Sequence, residues 1–241
     1  IGISGVSGDA MRQAQAPNML GLLPHATYSF DALTQPPTNS GAAWSSLMTG
    51  VWSGKHGVTD NTFNGSRFDR YPAGLKYLKT LAPQLRAVSI QAWPELNSRL
   101  ITQADASVSL PGNDAAVRDS AVSRLKTGNA DIVIVGFDGV QTAAHDDGYG
   151  TDIPEYMAAI TTVDGYVGDL LAAVNGRAEK DQEDWLVVIT SDHGGMGNSE
   201  GGSSYGERNI FTIFCNARFG KRELVPPLNS LKAIRYSQLG D

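Results

Sequence analysis

Cysteine and runs of positive charge are almost absent from this 241-residue chain. The single cysteine, Cys215, excludes an intrachain disulfide framework, and its place in the apolar run 210–215 predicts a small core residue. The chain carries 19 basic and 25 acidic residues, a formal net charge of -6, with no cluster of Lys and Arg. Nucleic-acid binding is therefore not expected, because it depends on basic side chains that neutralise phosphates.

Long hydrophobic runs are also missing. No apolar stretch approaches the roughly 20 residues of a membrane-spanning helix, so we expect no membrane span, and no signal peptide is visible. The first residues, Ile1 to Gly5, have the pattern of a strand end and follow no methionine. We expect the first strand to be truncated, either by processing on export or because a preceding segment is not included. A lone glycosylation sequon at 64–66 has meaning only in a secreted eukaryotic protein.

Predicted strands alternate with predicted helices along the chain. This order is typical of α/β proteins, in which a mostly parallel central sheet has helices on both faces. The length fits one compact domain over residues 1–241. A turn precedes the second predicted helix and makes Ser40 or Asn39 a natural N-cap. Strands are predicted at 1–3, 26–33, 86–92, 131–137, 185–191 and 209–215, and helices at 9–15, 42–48, 75–82, 114–126 and 154–174.

The run from Trp185 to Gly195 carries the clearest functional signal. An apolar and β-branched stretch ends in the adjacent residues Asp192 and His193, which two glycines follow. A buried strand of this kind delivers its polar tip to the carboxyl edge of the sheet, where α/β proteins bind ligands. A carboxylate beside an imidazole suits a divalent metal, and a polar strand end without function is the alternative.

Four segments along the chain occur in an informative order. Together they resemble the alkaline phosphatase superfamily, specifically its nucleotide pyrophosphatase/phosphodiesterase branch, over nearly the whole chain. Each segment is a weak signal alone, and the order and spacing carry the resemblance. The segments are Gly2–Gly5; Ser40–Gly50 followed by His56–Asn61; Ala144–Gly148; and Ser191–Gly195 followed by Glu200–Gly202.

The resemblance implies a set of site residues and a two-zinc hydrolase chemistry. Ser40 stands at the position of the nucleophile, and Asn61 at that of the residue that hydrogen-bonds a phosphoryl oxygen. His145, Asp192 and His193 stand at positions of zinc ligands. In the family, one metal lowers the pKa of the nucleophile and both hold the phosphoryl oxygens, with a helix N-terminus beneath the phosphate.

Three other ligand positions depart from the family's pattern. Ser4 stands where an Asp is expected, Gln141 replaces the Asp four residues before His145, and Glu200 replaces a His. Catalytic zinc usually has three protein ligands and one open position. The metal that activates the nucleophile would keep only two strong ligands here, and the other site would hold a metal weakly. Two zinc ions are expected from the resemblance, but none or one from the residues present.

The remaining site residues also have purely structural interpretations. Ser40 can serve only as an N-cap, Asn61 as a turn residue, and His145 as a surface histidine. Conversely, three further carboxylates could replace the missing metal ligands, and sequence alone does not exclude this. They are Asp138, Asp146 and Asp147.

Two functional hypotheses follow. The first is a pseudoenzyme that keeps the phosphodiesterase-like fold, has lost most or all metal-dependent hydrolysis, and serves in binding, recognition or assembly. The second is an active hydrolase of phosphate mono- or diesters that uses Ser40 with an altered or single-metal site. The expected ligand is a small phosphorylated molecule or a neutral one such as a sugar, held near Trp44 and Asn61.

The resemblance also bears on location and assembly. Relatives commonly work outside the cytoplasm, so we expect an extracellular or periplasmic protein. The segment Phe219 to Asp241 combines two prolines with scattered apolar residues. It could pack on its own domain or on a neighbour, which leaves a homo-oligomer or another assembly open.

Overall fold

An eight-stranded sheet forms the centre of the computed structural model, which describes residues 1–226. Most of the segment 219–241 therefore lies outside the described residues. The strands are β1 (Gly2–Ile3), β2 (Ala26–Leu33), β3 (Ala87–Gln91), β4 (Ala106–Ser109), β5 (Ile132–Phe137), β6 (Val187–Thr190), β7 (Asn209–Cys215) and β8 (Arg222–Glu223).

The sheet is mostly parallel, as the sequence predicts. Its strand order is β4-β3-β5-β1-β6-β7-β2-β8. The neighbours from β4 to β6 pair in parallel, β7 is antiparallel to both β6 and β2, and β8 pairs in parallel with β2. Only β7 runs against the others within the described part. The carboxyl ends of β5, β1 and β6 therefore meet side by side at one edge.

Helices occur at each predicted place and at several others. The sequence analysis does not predict helix α7 or the two strands at the edges of the sheet, β4 and β8. The helices are α1 (Gly8–Gln13), α2 (Pro17–Leu20), α3 (Ser40–Thr49), α4 (Ser53–His56), α5 (Gly74–Leu81), α6 (Asp114–Thr127), α7 (Gly139–Asp147), α8 (Pro154–Asn175) and α9 (Tyr205–Arg208), with short 3₁₀ turns at 23–25 and 180–182 and a π-helical turn at 96–100.

Helices cover both faces of the sheet. Along β5, Val133 and Val135 pack in the larger core with α1, α6 and α8, whereas Ile132 and Ile134 pack in a smaller core with α3 and α5. This alternation is what a strand buried on both faces requires, because successive side chains point to opposite sides. The predicted α/β layering is therefore confirmed.

Helix α8 corrects one expectation from the sequence. By length and composition it is apolar enough to cross a membrane, which the sequence interpretation missed. It packs against α2, α6 and α7, and residues such as Ile160, Val163 and Val167 are buried in the larger core. Core helices of folded domains combine these same properties.

Trp44 corrects a second expectation. It is buried, and its ring lies so close to the central strand that a Cβ on Gly2 would come within 2.3 Å of it. Trp44 therefore fixes α3 against β1 and does not line a ligand site.

The neutral side chain of His56 connects α3 to the segment that follows it through two hydrogen bonds. The backbone N–H of Val58 donates to Nδ1 (3.1 Å), which leaves the proton on Nε2, 2.9 Å from Ser46 Oγ. Burial, and then the charge of Arg67, lower the pKa of His56 to about 4. A protonated ring would lose the acceptor that Val58 needs.

We predict that the protein becomes less stable as pH falls, because of the protonation of His56. Below a pH of about 6.5 the unfolded chain binds a proton at His56, while the folded chain does so only near pH 4, so stability is lost as pH falls between these values. The full shift corresponds to about 3 kcal/mol, and solvent screening reduces the expected loss from this residue to about 2 kcal/mol. Urea unfolding at several pH values, for the native protein and His56→Asn, measures it. An unchanged pH dependence in the variant would contradict the assignment.

Candidate active site

Polar residues gather where the three central parallel strands end. Ser4 follows β1, Asp138 follows β5, and Asp192 and His193 follow β6 after Ser191. The tip residues of β6 thus lie at the edge that the sequence predicts. Ser4, Asp192 and His193 are all buried.

Helix α3 brings Ser40 to this edge. Ser40 is the first helical residue and Asn39 is the N-cap, one of the two positions that the sequence predicts, but the Asn39 side chain makes no capping hydrogen bond. The side chain of Asn61 supplies that hydrogen bond, because its Oδ1 accepts from the N–H of Gly41 (2.8 Å). Only glycine permits this approach, since a Cβ on Gly41 would lie 2.4 Å from the carbonyl oxygen of Asp60.

Asn61 lies in a turn, one of the two roles that the sequence leaves open. Its oxygen faces the helix, so its exposed side chain presents the amide N–H₂ group outward. Asn61 can therefore donate a hydrogen bond to a ligand beside the N-terminus of α3. The hydroxyl of Ser40 is likewise not used in capping.

Helix α7 supplies two residues one turn apart, Gln141 and His145. Residues at this spacing lie on one face of a helix. Asp114, from α6, fixes the start of α7 by accepting from the N–H groups of Asp138 (3.0 Å) and Gly139 (2.9 Å). The helix thus aims both side chains at the edge of the sheet.

The amide of Gln141 connects the two halves of the site. Its Oε1 lies in a short contact with Ser4 Oγ and 3.1 Å from Ser40 Oγ, and since each hydroxyl has one proton, Gln141 shares these donors with Asp192 and His193. Its Nε2 donates to Glu200 Oε1 at 3.4 Å. One neutral side chain therefore bridges the two hydroxyls and a carboxylate.

His193 lies beside the Ser40 hydroxyl. Its Nδ1 is 2.7 Å from the carbonyl oxygen of Gly194, and because a carbonyl only accepts, this places a proton on Nδ1. Its Nε2 lies 3.1 Å from Ser40 Oγ and 3.3 Å from Asp192 Oδ2. The imidazole is thus held in one orientation between a hydroxyl and a carboxylate.

Asp192 is fully enclosed. It accepts from Ser4 Oγ (3.1 Å to Oδ2) and from the backbone N–H groups of Gly5 (3.2 Å) and His193 (3.0 Å). Burial raises the pKa of Asp192, and the charge of His193 and these donors oppose the rise. Ser4 thus donates to the carboxylate, where the family pattern has a second carboxylate.

Glu200 and His145 form a direct pair. His145 Nε2 lies 2.6 Å from Glu200 Oε2, and the hydroxyl of Tyr149 donates to the same oxygen at 3.3 Å. Burial, and then the charge of Glu200, raise the pKa of Tyr149. Tyr149 is a site residue that sequence reasoning missed, since nothing in the local pattern distinguishes it. Its ring packs where any side chain at Gly195 would collide with it.

The Gly/Ser-rich loop that carries Glu200 is held from both ends. Thr38 Oγ1, just before α3, accepts from the N–H of Gly201 (2.9 Å). Glu207, from α9, accepts from the N–H of Gly202 (2.7 Å) and from Ser204 Oγ (2.6 Å). Glu200 is therefore positioned by the fold.

Of the three further carboxylates, only Asp138 lies near the cluster. Burial, followed by the charges of Asp192 and Asp114, raises the pKa of Asp138 to about 6. The exposed residues Asp146 and Asp147 end α7 and hydrogen-bond none of the site residues.

The donor set departs from the two-zinc pattern of the family, with serine at position 4, glutamine at 141 and glutamate at 200. Two donors on one tetrahedral zinc lie about 3.3 Å apart, because each bond is about 2.0–2.1 Å. Asp192 and His193, at 3.3 Å, could share a cation, but His145 and Glu200, at 2.6 Å, are bonded to each other. Within residues 1–226 no three His, Cys, Asp or Glu side chains are grouped to hold a metal.

The fold and the site positions define a protein of the alkaline phosphatase superfamily. The sequence profile of the type I phosphodiesterase / nucleotide pyrophosphatase family matches residues 1–76 and 87–211. The chain belongs to this family, as its sequence motifs predict. No curated protein matches it.

Several solved structures share this fold. An inactive variant of murine ectonucleotide pyrophosphatase/phosphodiesterase 5 in complex with AMP is 14% identical, with a TM-score of 0.62 over 80% of this chain and 56% of that one. A 2-O GAG sulfatase is 13% identical, with a TM-score of 0.72 over 91% and 64%. The chain thus spans less than two thirds of either protein.

A third similar structure is the C-terminal periplasmic domain of the phosphoethanolamine transferase EptC from Campylobacter jejuni. It is 8% identical, with a TM-score of 0.62 over 90% of this chain and 78% of that one. Identities this low establish the shared fold and nothing finer.

We predict that Glu200→Ala destabilises the protein by about 1–3 kcal/mol, because it leaves the donors of His145, Tyr149 and Gln141 without their acceptor. Urea unfolding measures the change. Glu179→Ala, which truncates an exposed glutamate, is the matched control and is expected to change stability by less than about 0.5 kcal/mol. Equal stability of the two variants would rule out a structural role for the Glu200 contacts.

Proposed function

We propose that this protein is a phosphodiesterase-like pseudoenzyme that binds a small ligand without two-metal hydrolysis. The bridge through Gln141 carries the proposal. An amide stands where the family pattern has a carboxylate, and it bonds to groups from both halves of the site. The substitutions at Ser4 and Glu200 complete the same hydrogen-bonded network.

The charges around the site favour a neutral ligand. Asp138, Asp192 and Glu200 surround it, and the ion pairs of Lys and Arg in residues 1–226 involve other carboxylates. Members of the family are metal-dependent, and without a full metal centre a phosphate would meet negative potential. We therefore expect a small polar molecule such as a sugar, which Asn61 can contact, in preference to a phosphorylated one.

Binding without hydrolysis has a parallel in the family fold. The murine relative was solved as an inactive variant with AMP, so a member that cannot react still holds a nucleotide. We place the present protein outside the cytoplasm, as EptC's periplasmic domain and the murine ectoenzyme suggest by analogy.

A second candidate is an active hydrolase that uses Ser40. The contact between Ser40 Oγ and His193 Nε2 at 3.1 Å favours it, because a nucleophile and a base must lie within hydrogen-bond reach. The carbonyl of Gly194 would hold the imidazole in the tautomer that accepts the proton. The N-terminus of α3 would face the developing negative charge.

We predict that hydrolysis of a nitrophenyl phosphodiester does not exceed background, with or without added zinc or manganese. Rates are compared for the native protein, Ser40→Ala and the control Ser45→Ala, whose hydroxyl bonds to the carbonyl of Gly41 outside the site. Equal rates for all three support the pseudoenzyme. Hydrolysis that Ser40→Ala abolishes and Ser45→Ala retains would establish the second candidate instead.

A further inference from the structure

A cavity of about 270 Å³ lies beside the candidate active site and shares only Asp192 with it. It opens between α3, the end of β2 and the start of β7. Its wall is mainly apolar and includes Leu33, Ala43, Leu47, Val51, Trp52 and Ile210.

One face of α3 extends from Ser40 to the cavity. Ala43, Leu47 and Gly50 line the cavity and follow Ser40 at intervals of three, four and three residues. Residues at this spacing share a helix face. The cavity therefore begins one helical turn beyond Ser40 on the same side of α3.

The cavity is open to molecules from solvent. Leu47 is 44% exposed and Trp52 is 51% exposed, although both are large apolar side chains. They form part of its wall, so their exposed surface would be covered when a ligand enters. Covering apolar surface of this kind favours binding.

Thr34 supplies the polar group that gives the cavity specificity. It is only 6% exposed, and its hydroxyl has no hydrogen-bond partner among residues 1–226, although its backbone groups bond to Arg208. The enclosed side-chain atoms without a partner in residues 1–226 do not include this hydroxyl, so its oxygen is open to the cavity, where water can bond to it. A polar group of a ligand in the cavity can take the place of that water.

The wall carries no charge that a ligand could pair with. Asp192 is the only ionisable residue among the lining residues, and Ser4 and Gly5 already donate to its carboxylate. A charged ligand would lose its hydration without gaining an opposite charge. The volume also lies just below the roughly 300 Å³ at which sites for drug-sized ligands begin.

We propose that this cavity binds a small neutral molecule with an apolar body and one hydroxyl or similar polar group that hydrogen-bonds to Thr34. The site goes beyond the proposed function, because it does not require Ser40 to react or the active-site edge to hold a ligand. The apolar body of the ligand lies in the cavity between α3 and β7, and its single polar group faces Thr34.

Titration with 1-hexanol, followed by amide chemical shifts, tests the proposal. We expect saturable shifts at residues that line the cavity. Thr34→Val keeps the side-chain shape and removes the hydroxyl, so it should weaken binding about two- to tenfold, and Thr34→Ser should restore most of the affinity. Thr161→Val, an exposed threonine on α8, is the matched control and should bind as the native protein does.

Ala43→Leu adds volume inside the cavity and should weaken binding more than tenfold. If Ala43→Leu does not fold, the comparison of Thr34→Val with Thr34→Ser still tests the proposal, because Thr34→Val keeps the shape of the side chain. Absence of saturable shifts, or equal affinity in Thr34→Val and the native protein, would overturn the proposal. Ser40→Ala should bind 1-hexanol unchanged, which separates this result from the fate of the proposed function.

Discussion

The side-chain amide of Gln141 is the group on which the rest of the site depends. Its oxygen lies within hydrogen-bond distance of two hydroxyls, and its N–H₂ group donates to a carboxylate, which no carboxylate at this position could do. An aspartate here would stand between Asp192 and Glu200 and would need a cation to offset the repulsion. With glutamine, a neutral side chain bridges these groups and the repulsion is absent.

The three substitutions, at positions 4, 141 and 200, complement one another in the same way. Ser4 donates to Asp192, so the residue that replaces one carboxylate of the family pattern supplies a hydrogen-bond donor to a remaining carboxylate. Glu200 accepts from His145, which in the family pattern would face a metal. Paired polar groups of this kind hold a site together, because an unpaired buried polar group is costly.

Much of this architecture could be predicted from local sequence. The buried strand that ends in Asp192 and His193, and the alternation of strands and helices, follow from apolar patterns that each element carries by itself. Helix α7 was missed because its start is fixed by Asp114, a residue of another helix, rather than by a local cap. Trp44 was misassigned because sequence does not show which face of α3 meets β1.

The contacts within the site were beyond sequence reasoning for a related reason. His145 and Glu200 are 55 residues apart, and Ser4 and Asp192 are 188 apart. The family pattern predicts that these residues converge, but not which of them bond directly. That outcome depends on distances of a few tenths of an ångström, such as 2.6 Å for one pair and 3.3 Å for another.

Zinc binding tests the central claim most directly. Calorimetric titration of zinc into the metal-free protein should reveal no tight two-ion site, whereas the triple variant Ser4→Asp, Gln141→Asp, Glu200→His, which restores the family's ligands, should bind two ions tightly. The replacement of metals by an internal hydrogen-bonded network predicts this contrast. Two tightly bound zinc ions in the native protein would contradict it.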